Sequence, residues 1–166
     1  MPKILEKSER VLNRIVDIQQ LIANVFLLVI MTIITLDVLG RNLLNQPVKG
    51  SYEMTELGAA LVVFFALAIT HRKGDHITID FLLDRFSEKT KYRLNGLIEL
   101  VISVVLFFMA RHIFENGLRM MERNSTTTDL MLPVHPFLFV ISFTVIIFML
   151  TAVFKAITYF RLAVNK

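Results

Sequence analysis

Residues 130–154 read LMLPVHPFLFVISFTVIIFMLTAVF, 25 residues without one Asp, Glu, Lys or Arg. A helix needs about 20 consecutive apolar residues to cross the hydrocarbon core of a bilayer, and this run is long enough. Residues 18–36, IQQLIANVFLLVIMTIITL, form a second charge-free run of 19 residues. Two shorter runs lie between them: residues 57–70, and residues 94–110 with Glu99 as their one charge. Both reach spanning length through end groups that can snorkel to the interface, such as Glu56, Arg72 and Arg111. The sequence therefore predicts an all-α integral membrane protein with four transmembrane helices, near residues 18–40, 54–72, 95–118 and 133–157.

The composition agrees. Of 166 residues, 55% are hydrophobic and the mean hydropathy is +0.62, above the range of water-soluble domains. Cysteine is absent, which excludes disulfides, thiolate metal sites and cysteine nucleophiles. The net charge of +4 does not indicate a nucleic-acid partner, because the basic residues flank apolar runs instead of covering a polar face. The first apolar run starts too late and runs too long for a signal peptide. No repeat or linker divides the chain, so residues 1–166 are expected to form a single membrane domain.

Lys and Arg are distributed unevenly about the four spans. Thirteen fall on the side of the two termini and the central connection, among them Lys3, Arg10, Lys73, Lys89 and Lys155; the other side holds five, Arg41, Lys49, Arg111, Arg119 and Arg123. The bias predicts cytoplasmic N and C termini and a cytoplasmic central connection. Residues 1–17 wind Leu5, Leu12, Val16 and other apolar residues onto one half of a helix, with Lys3, Lys7, Arg10 and Arg14 on the other. This predicts an interfacial amphipathic helix that contacts membrane lipids. Residues 74–92 give a similar cytoplasmic amphipathic connection.

Charges near a membrane need a partner or a task. Asp37 and Arg41 are spaced i, i+4 at the outer end of span 1, with Glu53 and Glu56 opening span 2. Arg111, Glu115 and Arg119 form a second spaced series at the same end of span 3. Their alternating signs read as a structural network or a partner interface, with an ion or acidic-substrate site as the alternative. Glu99 lies toward the inner third of span 3, within reach of Arg93 or Arg72. His112 and His135 share the outer side and invite a haem reading, but His71 and His76 form no matching pair. No nucleophile, phosphate-loop or zinc-protease motif occurs, so no enzyme, cofactor or metal is expected.

The stretch HRKGDHITIDFLL at residues 71–83 is the most specific in the chain. With Arg41 closing the first span, Pro47 in the first connection and Glu56 opening the second, it resembles the small membrane subunit (DctQ-like) of tripartite ATP-independent periplasmic (TRAP) transporters. The family positions are Arg72, Gly74, His76 and Asp80. Many members carry a tryptophan shortly before the glutamate, where this chain has Tyr52. The resemblance implies a non-catalytic subunit of a secondary transporter, partnered by a large multi-span permease and an extracytoplasmic solute-binding protein. It implies a bacterial or archaeal inner (cytoplasmic) membrane location and sodium-driven import of organic acids, the large subunit holding substrate and ions while the small one braces it. Two rival readings are a stand-alone proton-coupled transporter using Glu99 or Asp37, and a haem-binding electron carrier.

The cysteine-free chain makes its topology easy to test. Cysteines placed at Lys3 and Lys89 are expected to be shielded from an impermeant thiol reagent in intact cells, and cysteines at Lys49 or Ser125 to be labelled. External labelling at Lys89 reverses the orientation.

Overall fold

A computed structural model describes residues 3–73 and 87–165, and the side chains of residues 8–73 and 87–164. Its described residues form four helices and no strand: α1 (Lys3–Leu44), α2 (Ser51–Lys73), α3 (Glu88–Glu122) and α4 (His135–Asn165). All four are long and apolar enough to cross a membrane. The connections 45–50 and 123–134 lie at one end, here the loop end; the chain termini, the end of α2 and the start of α3 lie at the other, the terminal end.

Local chemistry sets the helix ends. Asn45 adopts a left-handed φ of 49° immediately after α1, and Pro47 follows, a common pair of helix-stopping signals. Ser87 caps α3 by accepting a hydrogen bond from the Thr90 N–H at 3.4 Å. After α3 the chain makes a tight hairpin: the Thr127 N–H donates to the Leu132 carbonyl at 2.9 Å, and the Val134 N–H to that of Ser125 at 3.2 Å. Pro133 belongs to this hairpin, so α4 begins at His135, two residues later than the expected span. Pro136 follows near its start, where proline is well tolerated.

Helix α1 differs from the expected division into an interfacial helix at 1–17 and a span from 18. Its 42 residues are one unbroken helix, which at 1.5 Å per residue extends about 63 Å, twice the ~30 Å hydrocarbon core. The apolar stripe of its first turns does not face lipid alone, because Leu12 and Val16 are buried in the core beside residues of α2 and α4. Of the expected connection at 74–92, residues 74–86 lie outside the described residues, and residues 88–92 are the first turns of α3.

The helices pack as two hairpins set side by side. α1 lies along α2 and α3 along α4; α2 meets α4, α1 touches α4 lightly, and α1 and α3 make no substantial contact. The order across the membrane is therefore α1–α2–α4–α3, closer to a raft than to a closed bundle. Ala68 of α2, Ala110 of α3 and Ala152 of α4 are buried in this core with Leu61, Phe65, Val145 and Phe148. Small residues matter here because helices in lipid associate by close approach and polar contacts, with little hydrophobic gain. Ser142 supplies one such polar contact, donating from α4 to the Ala110 carbonyl of α3 at 2.8 Å. The edge helices expose apolar rows, Val25, Leu28 and Met31 on α1 and Leu97, Val101 and Phe108 on α3.

Gly58 lies where α1 and α2 pack tightly: a Cβ there would sit 2.9 Å from the side chain of Ile30. Gly58→Ala is expected to destabilise the chain by about 1–3 kcal/mol, and adding Ile30→Ala to recover part of that loss. Thermal unfolding in detergent measures both; equal losses in the single and double variants would show that the two residues do not compete for space.

Candidate functional site

The charges at the loop end do not merge into one network. Asp37, nearly buried, accepts from Arg41 at 2.8 Å and from the Val48 N–H at 2.9 Å. It thus ties the connection 45–50 to the helix it follows. Glu53 turns elsewhere. Its carboxylate accepts from the N–H groups of Asp129 and Leu130 at 2.6 and 3.0 Å, clasping the α3–α4 hairpin from the first turn of α2. Gly50 makes the clasp possible. It has φ +73°, and a Cβ there would fall 2.4 Å from Leu130, so both the turn and the space require glycine.

Arg41 accordingly does not bridge Asp37 to Glu53 or Glu56. Glu56 is exposed one turn into α2 and has no hydrogen-bond or ion-pair partner among the described residues. Arg111 and Glu115 pair within α3 at 2.8 Å, both well exposed. A pair so exposed adds little stability of its own.

At the terminal end, three helices meet around buried charge. Glu99 of α3 is 7% exposed and His71 of α2 is 3% exposed. His71 Nε2 lies 2.8 Å from Glu99 Oε2. Lys155 of α4 donates to the His71 carbonyl at 2.7 Å and stands 3.7 Å from Glu99 Oε1. Phe148 tilts against the His71 ring, centroids 5.0 Å apart. Glu99 therefore reaches neither Arg93 nor Arg72: its partners come from the two helices packed beside it. Arg72 instead pairs with Asp17 and donates to the Asn13 carbonyl at 2.9 Å, pinning the end of α2 to α1. Gly74, His76 and Asp80 lie outside the described residues.

Reading the sequence missed Lys155, Asp17, Asn13 and Gln19 as site residues. The first two carried a signal: Asp17 is the last acid of a basic amphipathic face, at its junction with the first apolar run, and Lys155 follows an uncharged run of 25 residues. Gln19 gave none; it is buried on α1 and neither amide atom has a hydrogen-bond partner among the described residues. His112 is exposed on α3, His135 lies against Phe139, and no described group of three or more His, Asp or Glu could hold a metal.

The sequence profile of the family "Tripartite ATP-independent periplasmic transporters, DctQ component" matches residues 30–163. The chain belongs to the DctQ family. It is thus a TRAP transporter small subunit and a multi-pass membrane protein. No curated protein and no solved structure matches it. The match takes in all of α2 and α3, and with them the His71–Glu99–Lys155 cluster; it begins within α1, so Asn13 and Asp17 precede it. In this DctQ chain, Arg72 joins the matched region to the turns before it.

The cluster can be tested as a unit. Removing one partner of a buried charged group strands the other, so Glu99→Leu is expected to cost about 3 kcal/mol, whereas the triple change with His71→Leu and Lys155→Met recovers most of it. Thermal unfolding of the purified variants reads both. Additive losses would show three independent groups.

Proposed function

We propose that this DctQ chain is the scaffold of a sodium-coupled, binding-protein-dependent secondary transporter that imports organic acids, and that it braces a large multi-span permease served by an extracytoplasmic solute-binding protein. The reading rests on one observation above all: the family match runs over helices arranged as a raft with apolar edges. A raft presents more lateral surface than a closed four-helix bundle of the same size, which suits a protein whose work is to support a neighbour. Its four described helices are continuous, whereas carriers bind substrate and ions at broken helices near the membrane midplane. The carboxylates a stand-alone proton carrier would use have structural partners here, Asp37 with Arg41 and Val48, Glu99 with His71 and Lys155.

On this reading residues 1–166 act as one membrane domain in an inner (cytoplasmic) membrane, with the terminal end facing the cytoplasm as the Lys and Arg bias implies. Asp37 and Glu53 serve internally, each holding a loop. Arg41, Glu56, Arg111 and Glu115 are the exposed charges placed to meet the permease at the opposite end. Polar contacts of this kind, with close packing, hold membrane proteins together where hydrophobic force is weak.

Reconstituted alone, the chain is expected to give no solute uptake under any ion gradient. Together with its permease and binding protein it is expected to be required for uptake. Uptake by the isolated chain, or full uptake by the permease and binding protein without it, overturns the scaffold reading.

A further inference from the structure

Between α1, α2 and α4, at the terminal end, lies a cavity of about 200 Å³. That is more than ten times the ~15 Å³ needed to admit one water. Its position is set by residues already described. Arg72 enters from α2 and Lys155 from α4, with Asn13 and Glu9 on α1 and Thr151 and Thr158 on α4. Leu12 and Phe154 supply apolar wall. The cavity lies where the apolar runs give way to charge, and Tyr159, next to Thr158 in the chain, pairs its ring with Tyr92 of α3, centroids 6.4 Å apart, as aromatic side chains do at a membrane interface.

The chemistry is rich in donors. Arg72 uses part of its five-donor fork on Asn13 and Asp17, which leaves at least two N–H groups; Lys155 has three donors and spends one on the His71 carbonyl. Thr151 and Thr158 donate to carbonyls within their own helix, so their oxygens remain as acceptors. Asp17 and Glu99, outside the lining, pair with the two cations and hold them in place, and the lining itself holds Arg72 and Lys155 against one carboxylate, Glu9. Such a lining matches a phosphate diester.

The order of groups along the membrane normal narrows the choice. α1 runs from the terminal end toward the loop end, so Glu9 stands about 6 Å nearer the water than Asn13, one helical turn away. Passing outward from the membrane centre, the cavity offers Thr151 and apolar wall, then Arg72, Lys155 and Asn13, then Glu9 and Thr158. A phospholipid with an amine headgroup runs in the same sequence: glycerol esters, phosphate, ammonium.

We propose that this cavity is a binding site for one phospholipid of the leaflet at the terminal end, its phosphate held by Arg72, Lys155 and Asn13 and its headgroup ammonium by Glu9. The phosphate-binding chemistry alone would also accept a soluble phosphate; the apolar wall and the placement of Glu9 favour phosphatidylethanolamine. The lipid would fill the space between the first turns of α1 and the rest of the raft.

The test is native mass spectrometry of the full-length chain, delipidated in mild detergent and offered phosphatidylethanolamine, phosphatidylglycerol or inorganic phosphate. The wild type should retain one phosphatidylethanolamine in preference to phosphatidylglycerol, and excess inorganic phosphate should not displace it. Thr158→Leu, which fills the cavity with apolar volume, should lower occupancy about tenfold or more, with an unchanged melting temperature in lipid-free detergent. Glu9→Gln should keep the lipid but erase the preference, and Arg119→Gln at the loop end should behave as wild type. No retained phospholipid, equal occupancy in Thr158→Leu and wild type, or full displacement by inorganic phosphate overturns the lipid site. An undiminished preference in Glu9→Gln overturns the ammonium contact.

Discussion

In lipid, an apolar side chain gains little by exchanging an acyl chain for another helix, so what holds a membrane protein in one arrangement is close packing and the few polar groups that cannot be left in hydrocarbon. In this chain that constraint falls on Glu99. A carboxylate buried on an edge helix must be met, and it is met from two neighbouring helices at once, by His71 and Lys155. The contact fixes how far α2, α3 and α4 slide along one another. The Ser142 bond to the Ala110 carbonyl sets the same α3–α4 register closer to the loop end. The small residues then let the backbones close to the distance these contacts require.

Much of the fold was legible in the sequence, because membrane insertion writes itself in run length and charge. The four helices follow from the apolar stretches, and their order of ends from the loops between them. What the sequence did not disclose was how the helices sit side by side. Hydropathy says that a helix is in the membrane, and not which flank meets which neighbour, since lipid and protein ask for nearly the same side chains. That α1 is continuous has a related reason: the amphipathic turns before residue 18 carry good helix formers and no stop signal, so no break in the helix separates them from the apolar run that follows.

The candidate site was legible in part. The i, i+4 pairs Asp37–Arg41 and Arg111–Glu115 form as their spacing demands, because both partners ride one helix. Contacts across the chain were not readable. Glu53 is satisfied by backbone N–H groups of residues 129 and 130, and backbone donors are invisible to any inspection of side-chain charge. Lys155 entered only the Lys and Arg bias, and neither it nor Asp17 disclosed in the sequence that it closes a contact with a distant helix.

The clasp made by Glu53 also bears on the order in which the protein can be completed during synthesis. The carboxylate belongs to the first hairpin to leave the ribosome, while the amides that receive it belong to the turn between the third and fourth helices. Until that turn has emerged, Glu53 lacks the two amides it accepts from in the finished fold. A truncated product would lack them permanently. In the finished chain the carboxylate is buried against that turn, so the first hairpin reaches its final form only when the second is in place.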